Sequence, residues 1–345
     1  MVNLPQAGRS SSRRQIERAA WLALAWGAAV FLLWLALRQT NLPAILRVIS
    51  SLQFWQVGLL VAANLLILGL YAWRWQLGVS AFGHRVGLGS LLAYRLAGFG
   101  VSYFTPGPQV GGEPLQAYLL SHRKGLEAGP AAASVYFDRV VDMLANFTVL
   151  AAGMAALGLT SAHPGRFGPG SWVGAAAALV LPLLHLAALR AGRRPISAIG
   201  ERLFGRRKGG KLEQVLAAVA EMEALIERLL RERPSAVVKI ILLAAMIWLV
   251  MIVEFGLMLR FLGLPSGALE ILAILTLARL AILMPIPAGL GVLEAGLALG
   301  VQIAGYDPAL GFAAALVIRA RDLVLGGSGL WLAGWLVRKS DRFGG

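Results

Sequence analysis

Eleven charged side chains interrupt stretches of this 345-residue chain that are otherwise strongly apolar. Guanidinium groups in such surroundings can hold a phosphate through paired hydrogen bonds, and a partly desolvated carboxyl group can take up a proton. At a bilayer centre each charge costs about 2.5–3.5 kcal/mol, so these groups must face each other, water or a ligand. The set is Arg95, Glu113, Asp138, Arg139, Asp142, Glu254, Arg279, Glu294, Arg319, Arg321 and Asp322.

The same order of residues occurs once in each half of the chain. An Arg precedes a break rich in Pro and Gly, a Glu follows the aligned Pro, and an Arg-x-x-Asp motif comes later. Four charges that recur in order predict an internal repeat. The residues assigned to a substrate site are Arg95, Pro106, Gly111, Glu113, Arg139 and Asp142 in the first half, and Arg279, Pro287, Gly289, Glu294, Arg319 and Asp322 in the second.

The arginines of the repeat are candidates for holding a phosphate. An Arg beside a broken half-helix lies near free backbone N–H groups and a positive dipole end. Glu113 and Glu294 begin the second half-helix, where each either complements the helix dipole or carries a proton. Asp138, Arg321 and the two Arg-x-x-Asp motifs also allow a purely structural ion-pair network, because residues three apart share a helix face. Glu254 has no counterpart in the repeat, and both core pairing and site lining stay open for it.

Composition places the chain in a membrane. Hydrophobic residues make up 58% of it and charged residues only 14%, whereas a soluble domain carries about 25% charged residues. The net charge of +15 is explained by basic cytoplasmic loops, and no aromatic-basic pattern typical of nucleic-acid binding is present. Without Cys, a metal spacing among the four His or a nucleophile motif, the sequence predicts no catalytic residue, no metal and no cofactor.

Two apolar stretches, 88–121 and 268–304, are broken by Pro and Gly clusters. Their arms are too short to cross a hydrocarbon core of about 30 Å, so each stretch predicts a re-entrant helical hairpin. The tip of such a hairpin must be buried in protein or reached by water, and is therefore a candidate cavity wall. Six further apolar stretches predict transmembrane helices at 19–37, 56–73, 131–157, 172–189, 236–260 and 308–337.

Counting Lys and Arg gives the expected topology. With the N-terminus inside, 23 of these 32 residues fall on the cytoplasmic side, including Arg74, while four fall outside and five within membrane segments. This bias predicts cytoplasmic termini in the inner cell membrane and two oppositely oriented hairpins, hence an inverted repeat. The fold class is all-α and integral to the membrane. The parts are a basic segment at 1–18, one membrane domain at 19–345, repeats at 88–157 and 268–338, and a cytoplasmic loop at 190–235.

The loop carries apolar residues at helical spacing between Lys211 and Arg231, which predicts an amphipathic helix. One interpretation places this helix on the inner leaflet, where its Lys and Arg side chains would meet anionic headgroups. The alternative interpretation is that this helix binds an anionic lipid substrate.

The repeated motifs resemble those of a known family. The stretch from Pro106 to Glu113, Asp138-Arg139-x-x-Asp142, the run from Pro285 to Glu294 and Arg319-x-x-Asp322 are similar to the transmembrane region of lysylphosphatidylglycerol synthases, a flippase-like membrane domain. The resemblance extends over roughly residues 20–338. It implies translocation of a modified lipid to the outer leaflet. Because the chain ends at Gly345, without the family's aminoacyltransferase domain, we expect no lipid aminoacylation by this polypeptide.

The sequence therefore predicts a non-enzymatic lipid translocase. Its expected substrate is an anionic phospholipid or a polyprenyl-phosphate-linked lipid, whose headgroup passes through a charged cavity in mid-membrane. Two alternatives stay open: an enzyme acting on lipid-linked substrates, and an accessory subunit for a partner glycosyltransferase or synthase. Assembly as a homodimer or with a lipid-modifying enzyme is also left open, and nucleic acid is not expected as a partner.

Overall fold

The computed structural model describes residues 43, 47, 50–105, 111–160, 169–204, 211–284, 286 and 289–341. The predicted first span at 19–37, the basic segment at 1–18, Pro106 and Pro287 lie outside them. The described residues contain helices and no strands, which confirms the all-α prediction. The helices are α1 (Phe54–Ala81), α2 (Leu88–Phe104), α3 (Glu113–Lys124), α4 (Ala128–Thr160), α5 (Pro169–Arg190), α6 (Pro195–Phe204), α7 (Lys211–Glu232), α8 (Pro234–Phe261), α9 (Ala268–Ile282), α10 (Val292–Ile303) and α11 (Pro308–Asp341).

Three of the described helices, α1, α4 and α8, are long and apolar enough to cross a membrane by length and composition. Their outer faces leave large apolar side chains uncovered, for example Leu65 and Leu66 on α1 and Leu242 and Leu249 on α8. In water such a surface would drive association, whereas hydrocarbon covers it without cost. The exposed apolar faces therefore agree with a membrane protein.

Four helices at the start of the described region match four at its end. Helices α1 and α8 both have 28 residues, α2 and α9 have 17 and 15, α3 and α10 both have 12, and α4 and α11 have 33 and 34. Packing crosses between these two sets: α2 lies along α11, and α9 lies along α4. Helix α1 also lies along α8, so the first set of helices holds the second through three long contacts.

Glycine allows the contact between α2 and α11 to be backbone against backbone. A Cβ atom on Gly100 would overlap the backbone of Gly329 and Leu330, and one on Gly329 would overlap the carbonyl of Leu96. On the other contact, a Cβ on Gly153 of α4 would overlap the Thr276 side chain of α9. These close approaches fix α2 and α9, the helices that carry Arg95 and Arg279.

The two short helices α3 and α10 begin alike. Each starts just after a glycine with positive φ, Gly111 at 147° before α3 and Gly291 at 78° before α10. Each carries an acid in its first turn, Glu113 or Glu294, where a negative charge complements the helix dipole. Helix α3 ends at Gly125 in the left-handed region after three basic residues, the usual chemistry of a helix C-terminus.

The amphipathic helix predicted at 211–231 is present as α7, but part of its apolar face is covered by protein. Ile226 and Leu229 are buried against Ala133 and Phe137 of α4. Glu223, also buried, accepts hydrogen bonds from the backbone N–H groups of residues 196 and 197 at 2.9 and 3.0 Å and so caps α6. The second half of α7 is therefore docked on the helix bundle, while its contact with a leaflet or a lipid stays a prediction.

Candidate functional site

A cavity of about 280 Å³ lies between the first and the last four described helices. Of the twelve residues assigned to the site, six line this cavity: Arg95, Glu113, Arg139, Asp142, Arg279 and Asp322. Asp138, Glu254 and Arg321 also line it, as do the uncharged polar residues Asn64, Tyr71, Ser102 and Gln116. The structure thus gathers nine of the eleven charged residues of the sequence pattern around one space, and their role in substrate binding stays a prediction.

Four side chains form a closed ion-pair cluster on the first-half side of the cavity. Arg74 Nε lies 2.8 Å from Asp138 Oδ1, and its Nη1 lies 3.1 Å from Asp142 Oδ1. Arg95 Nη1 lies 2.6 Å from Asp138 Oδ2, and its Nη2 lies 3.9 Å from Asp142 Oδ2. Both guanidinium groups also lie near the Tyr71 ring, at 5.1 and 4.3 Å from its centroid. Each aspartate is therefore shared by two arginines.

The end of the predicted span at 73 was wrong, and with it the assignment of Arg74 to a segment outside the membrane helices. Helix α1 continues to Ala81, and Arg74 is completely buried at the centre of the cluster. One signal was available: the predicted set held five arginines and six acids, and Arg74 supplies the missing cation. A single Arg at the end of an apolar stretch looks like a helix boundary, which is why the pattern alone misplaced it.

The local ion pairs that the two Arg-x-x-Asp motifs allow are absent from the described residues. Arg139 Nε instead lies 3.4 Å from Glu113 Oε1. Arg319 Nε lies 2.9 Å from Glu294 Oε1, and its Nη2 lies 3.2 Å from Glu294 Oε2. Each Arg thus pairs with the Glu of the preceding short helix, which packs alongside and reaches it with better geometry than the Asp one turn away.

The two Glu–Arg pairs also form hydrogen bonds with the backbone of the breaks between the helices. In the first half, the N–H of Gly111 donates to Glu113 Oε2 at 2.9 Å. In the second half, Arg319 Nη2 donates to the carbonyl oxygen of Gly289 at 2.7 Å. Gly111 and Gly289, which were assigned to the substrate site, therefore bond to the charged pairs rather than opening into the cavity.

The two pairs differ in their surroundings. The side chains of Glu294 and Arg319 are 3% and 8% exposed, and neither residue lines the cavity. The side chains of Glu113 and Arg139 are 26% and 36% exposed, and both line it. Glu294 and Arg319 are thus buried between α10 and α11 and outside the cavity wall, and their assignment to the substrate site stays a prediction.

Arg279 is held differently from the other cavity arginines. It forms no ion pair and no side-chain hydrogen bond with the described residues, and its guanidinium carbon lies 4.8 Å from the centroid of the Trp248 ring. Such a cation–π contact attracts the charge without supplying a carboxylate.

Asn64 connects the remaining charges. Its Nδ2 donates to Glu254 Oε1 at 3.0 Å, and its Oδ1 accepts from Arg321 Nη1 at 3.3 Å. Arg321 Nη2 is 2.8 Å from Asp322 Oδ1. Glu254 is thus both hydrogen-bonded in the core and part of the cavity wall. Sequence reasoning missed Asn64, because one neutral amide in an apolar helix has no charge to mark it.

Comparison with known proteins adds to this geometry. The family model described as lysylphosphatidylglycerol synthase TM region matches residues 20–327. The chain belongs to this family. A protein described as a UPF0104 membrane protein from Methanothermobacter thermautotrophicus is 27% identical over 272 residues, which are 75% of this chain and 78% of that protein.

The matched range includes every charged residue that lines the cavity, from Arg95 to Asp322. The cavity therefore lies within the family's membrane region and not in an appended segment. Membership of this family, together with the apolar helices, indicates a membrane protein with a function related to lipids.

Proposed function

We propose that this protein moves the headgroup of an anionic lipid across the cytoplasmic membrane through its charged cavity, and that it is a transporter rather than an enzyme. The observation that carries the proposal is the cavity itself: charges of both signs line it, while the helices around it expose apolar side chains outward. Charges inside a membrane domain mark substrate or ion pathways. The proposed substrate is a phospholipid or a polyprenyl-phosphate-linked lipid.

Helix lengths support the proposed membrane arrangement. At 1.5 Å per residue, α2 and α3 reach about 26 and 18 Å, and α9 and α10 about 22 and 18 Å. All fall short of a hydrocarbon core of about 30 Å. In the proposal these two helix pairs are re-entrant hairpins of opposite orientation, set among about six spanning helices, with both termini in the cytoplasm.

The ion pairs suggest how a headgroup is accommodated. The Glu113–Arg139 contact is long at 3.4 Å and partly open to the cavity. An entering phosphate offers Arg139 two oxygens in place of the carboxylate. Glu113 is then free to take up a proton, which keeps the cavity from accumulating negative charge. Acyl or prenyl chains stay in the bilayer throughout, because the cavity holds only the headgroup.

A leaflet-exchange assay tests the proposal. Purified full-length protein is reconstituted in liposomes that contain a headgroup-labelled phosphatidylglycerol or a labelled polyprenyl phosphate, and label in the inner leaflet is measured by quenching from outside. We expect exchange above that of protein-free liposomes for at least one lipid. Absence of exchange for the whole panel, with protein shown to be folded and inserted, would overturn the proposal.

A second candidate function rests on the completeness of the ion pairs. Among the described cavity residues, Arg95, Arg139 and Arg321 each contact a carboxylate, as expected of a charge network that only stabilises the bundle. In that case the protein is an accessory subunit of a glycosyltransferase or synthase, or itself acts on lipid-linked substrates. Replacing Arg279 by Ala would then lower the amount of folded protein but leave leaflet exchange per molecule unchanged.

A further inference from the structure

We propose that Arg279 is the residue that first binds the anionic group of the substrate, ahead of Arg139, with the Arg74–Arg95–Asp138–Asp142 cluster as a fixed structural wall. The inference rests on the proposed function, to which it adds the residue of first contact. The ligand chemistry is a phosphate group, recognised by a guanidinium group that pairs with no carboxylate of the described residues.

Arg279 differs from the other cavity arginines in its availability. Arg95 contacts two aspartates, Arg139 contacts Glu113, and Arg321 contacts Asp322. A phosphate that binds one of these must first displace a carboxylate. Arg279 lines the same cavity without an ion-pair partner among the described residues, so its N–H donors are available at once. A planar guanidinium with free donors suits bidentate binding of phosphate.

The sequence explains why Arg279 has no ion-pair partner among the described residues. In the first half, Asp138 precedes Arg139 and reaches Arg95. The residue that precedes Arg319 in the second half is Ile318, which carries no charge. Arg95 is also the eighth residue of α2, whereas Arg279 is the twelfth of α9, about one helical turn further along.

The Trp248 ring positions Arg279 without neutralising its charge. Trp248 is 5% exposed and does not line the cavity. Its ring holds the guanidinium by a cation–π contact, which attracts the charge but offers no acceptor oxygen. The N–H donors of Arg279 therefore lack an acceptor among the described residues, and this favours an anion as their partner.

Binding is measured on the purified full-length protein in detergent by native mass spectrometry. The probes are dioleoyl phosphatidylglycerol, dioleoylglycerol, which has the same chains without phosphate, and inorganic phosphate. We expect wild-type protein to retain phosphatidylglycerol in preference to dioleoylglycerol. Inorganic phosphate that competes at similar concentration would identify a free-phosphate site, whereas weak competition would identify a lipid-headgroup site; either result keeps phosphate as the ligand class.

Arg279→Gln removes the charge, and we expect phosphatidylglycerol binding to fall by about 10- to 100-fold, as for loss of a charged hydrogen-bonding partner. Arg279→Lys keeps the charge without the planar donor pair, and its affinity for phosphatidylglycerol should lie between those of the wild type and Arg279→Gln. Arg260→Gln, at an exposed Arg at the end of α8, is the matched control and should bind as wild type. Melting temperatures in detergent establish that all three variants are folded.

The outcomes separate this inference from the proposed function. Wild-type binding in a folded Arg279→Gln variant would overturn the inference, even if lipid exchange is observed. Loss of binding in that variant, combined with no exchange by the wild type, would support the phosphate site and overturn the transporter. If Arg279→Gln fails to fold, Arg279→Lys decides: binding equal to wild type would contradict a bidentate site.

Discussion

The first half of the chain places its Glu–Arg pair beside a cavity, whereas the second half places the corresponding pair inside packed protein. Glu113 and Arg139 are partly exposed and 3.4 Å apart. Glu294 and Arg319 are almost fully buried and meet through two contacts of 2.9 and 3.2 Å. Nearly equal spacing along the sequence, 26 residues in the first half and 25 in the second, has therefore produced two ion pairs with different energetics.

The two ion pairs differ in energetics because they differ in desolvation. A pair that water can reach contributes about 0–1 kcal/mol, so it can open without loss of the fold. Removing one partner of a buried pair leaves an uncompensated charge, which costs about 3–5 kcal/mol. We infer that the second-half pair fixes the structure, while the first-half pair is able to exchange its partner for a ligand.

A second contrast involves the arginines before the breaks. Arg95 is enclosed by two aspartates on α4, while Arg279 rests on an aromatic ring. Here the second half is the open one. Each half thus contributes one arginine that a headgroup can reach, Arg139 or Arg279, and one set of ion pairs that stabilises the fold. A headgroup can therefore contact both halves without breaking the stabilising ion pairs.

The largest effect is expected at Arg74. Arg74→Ala leaves Asp138 and Asp142 with Arg95 as their remaining ion-pair partner, so the fold should lose about 3–5 kcal/mol. Denaturation of the purified protein in detergent measures this loss. Arg260→Gln serves as the control, with an expected change within about 0.5 kcal/mol. A wild-type unfolding curve for Arg74→Ala would show that the cluster does not depend on this residue.

A double-mutant cycle tests the contrast between the Glu–Arg pairs directly. The cycle on Glu294 and Arg319, each changed to Ala, should give a coupling energy of about 2–3 kcal/mol, since removing both charges spares the cost of one left alone. The matched cycle on Glu113 and Arg139 should give at most about 1 kcal/mol. Both are measured by denaturation. Equal coupling energies would remove the distinction between a fixed and an openable pair.

The smallest change in stability is expected for Glu113→Gln. The amide keeps the acceptor for the Gly111 N–H but carries no charge and cannot take up a proton as a carboxylate does. Stability should therefore change by less than about 1 kcal/mol, while leaflet exchange in liposomes slows by about tenfold. Exchange at the wild-type rate would eliminate the proposed proton-carrying role and leave Arg279 as the site of ligand binding.

Much of the fold could be predicted from local patterns. Clusters of several Pro and Gly residues end helices in an apolar run, so the short helices α2, α3, α9 and α10 were expected near their observed positions. The charged set was also recognisable, since each member lies in an apolar context. The ion-pair partners of these residues could not be recognised from the sequence, as Arg139 and Arg319 show. Ion pairing depends on which helices lie side by side.

The sequence by itself determined an all-helical membrane protein with a repeated set of charges, because apolar length, helix breaks and the cost of a charge in hydrocarbon are properties of short segments. Only the tertiary structure decided that Arg74 completes the buried cluster and that Glu294 and Arg319 lie outside the cavity wall. It also decided that Arg279 has no carboxylate partner among the described residues. The reason is geometric: an ion pair between helices exists only where two helices bring their side chains within about 4 Å of each other.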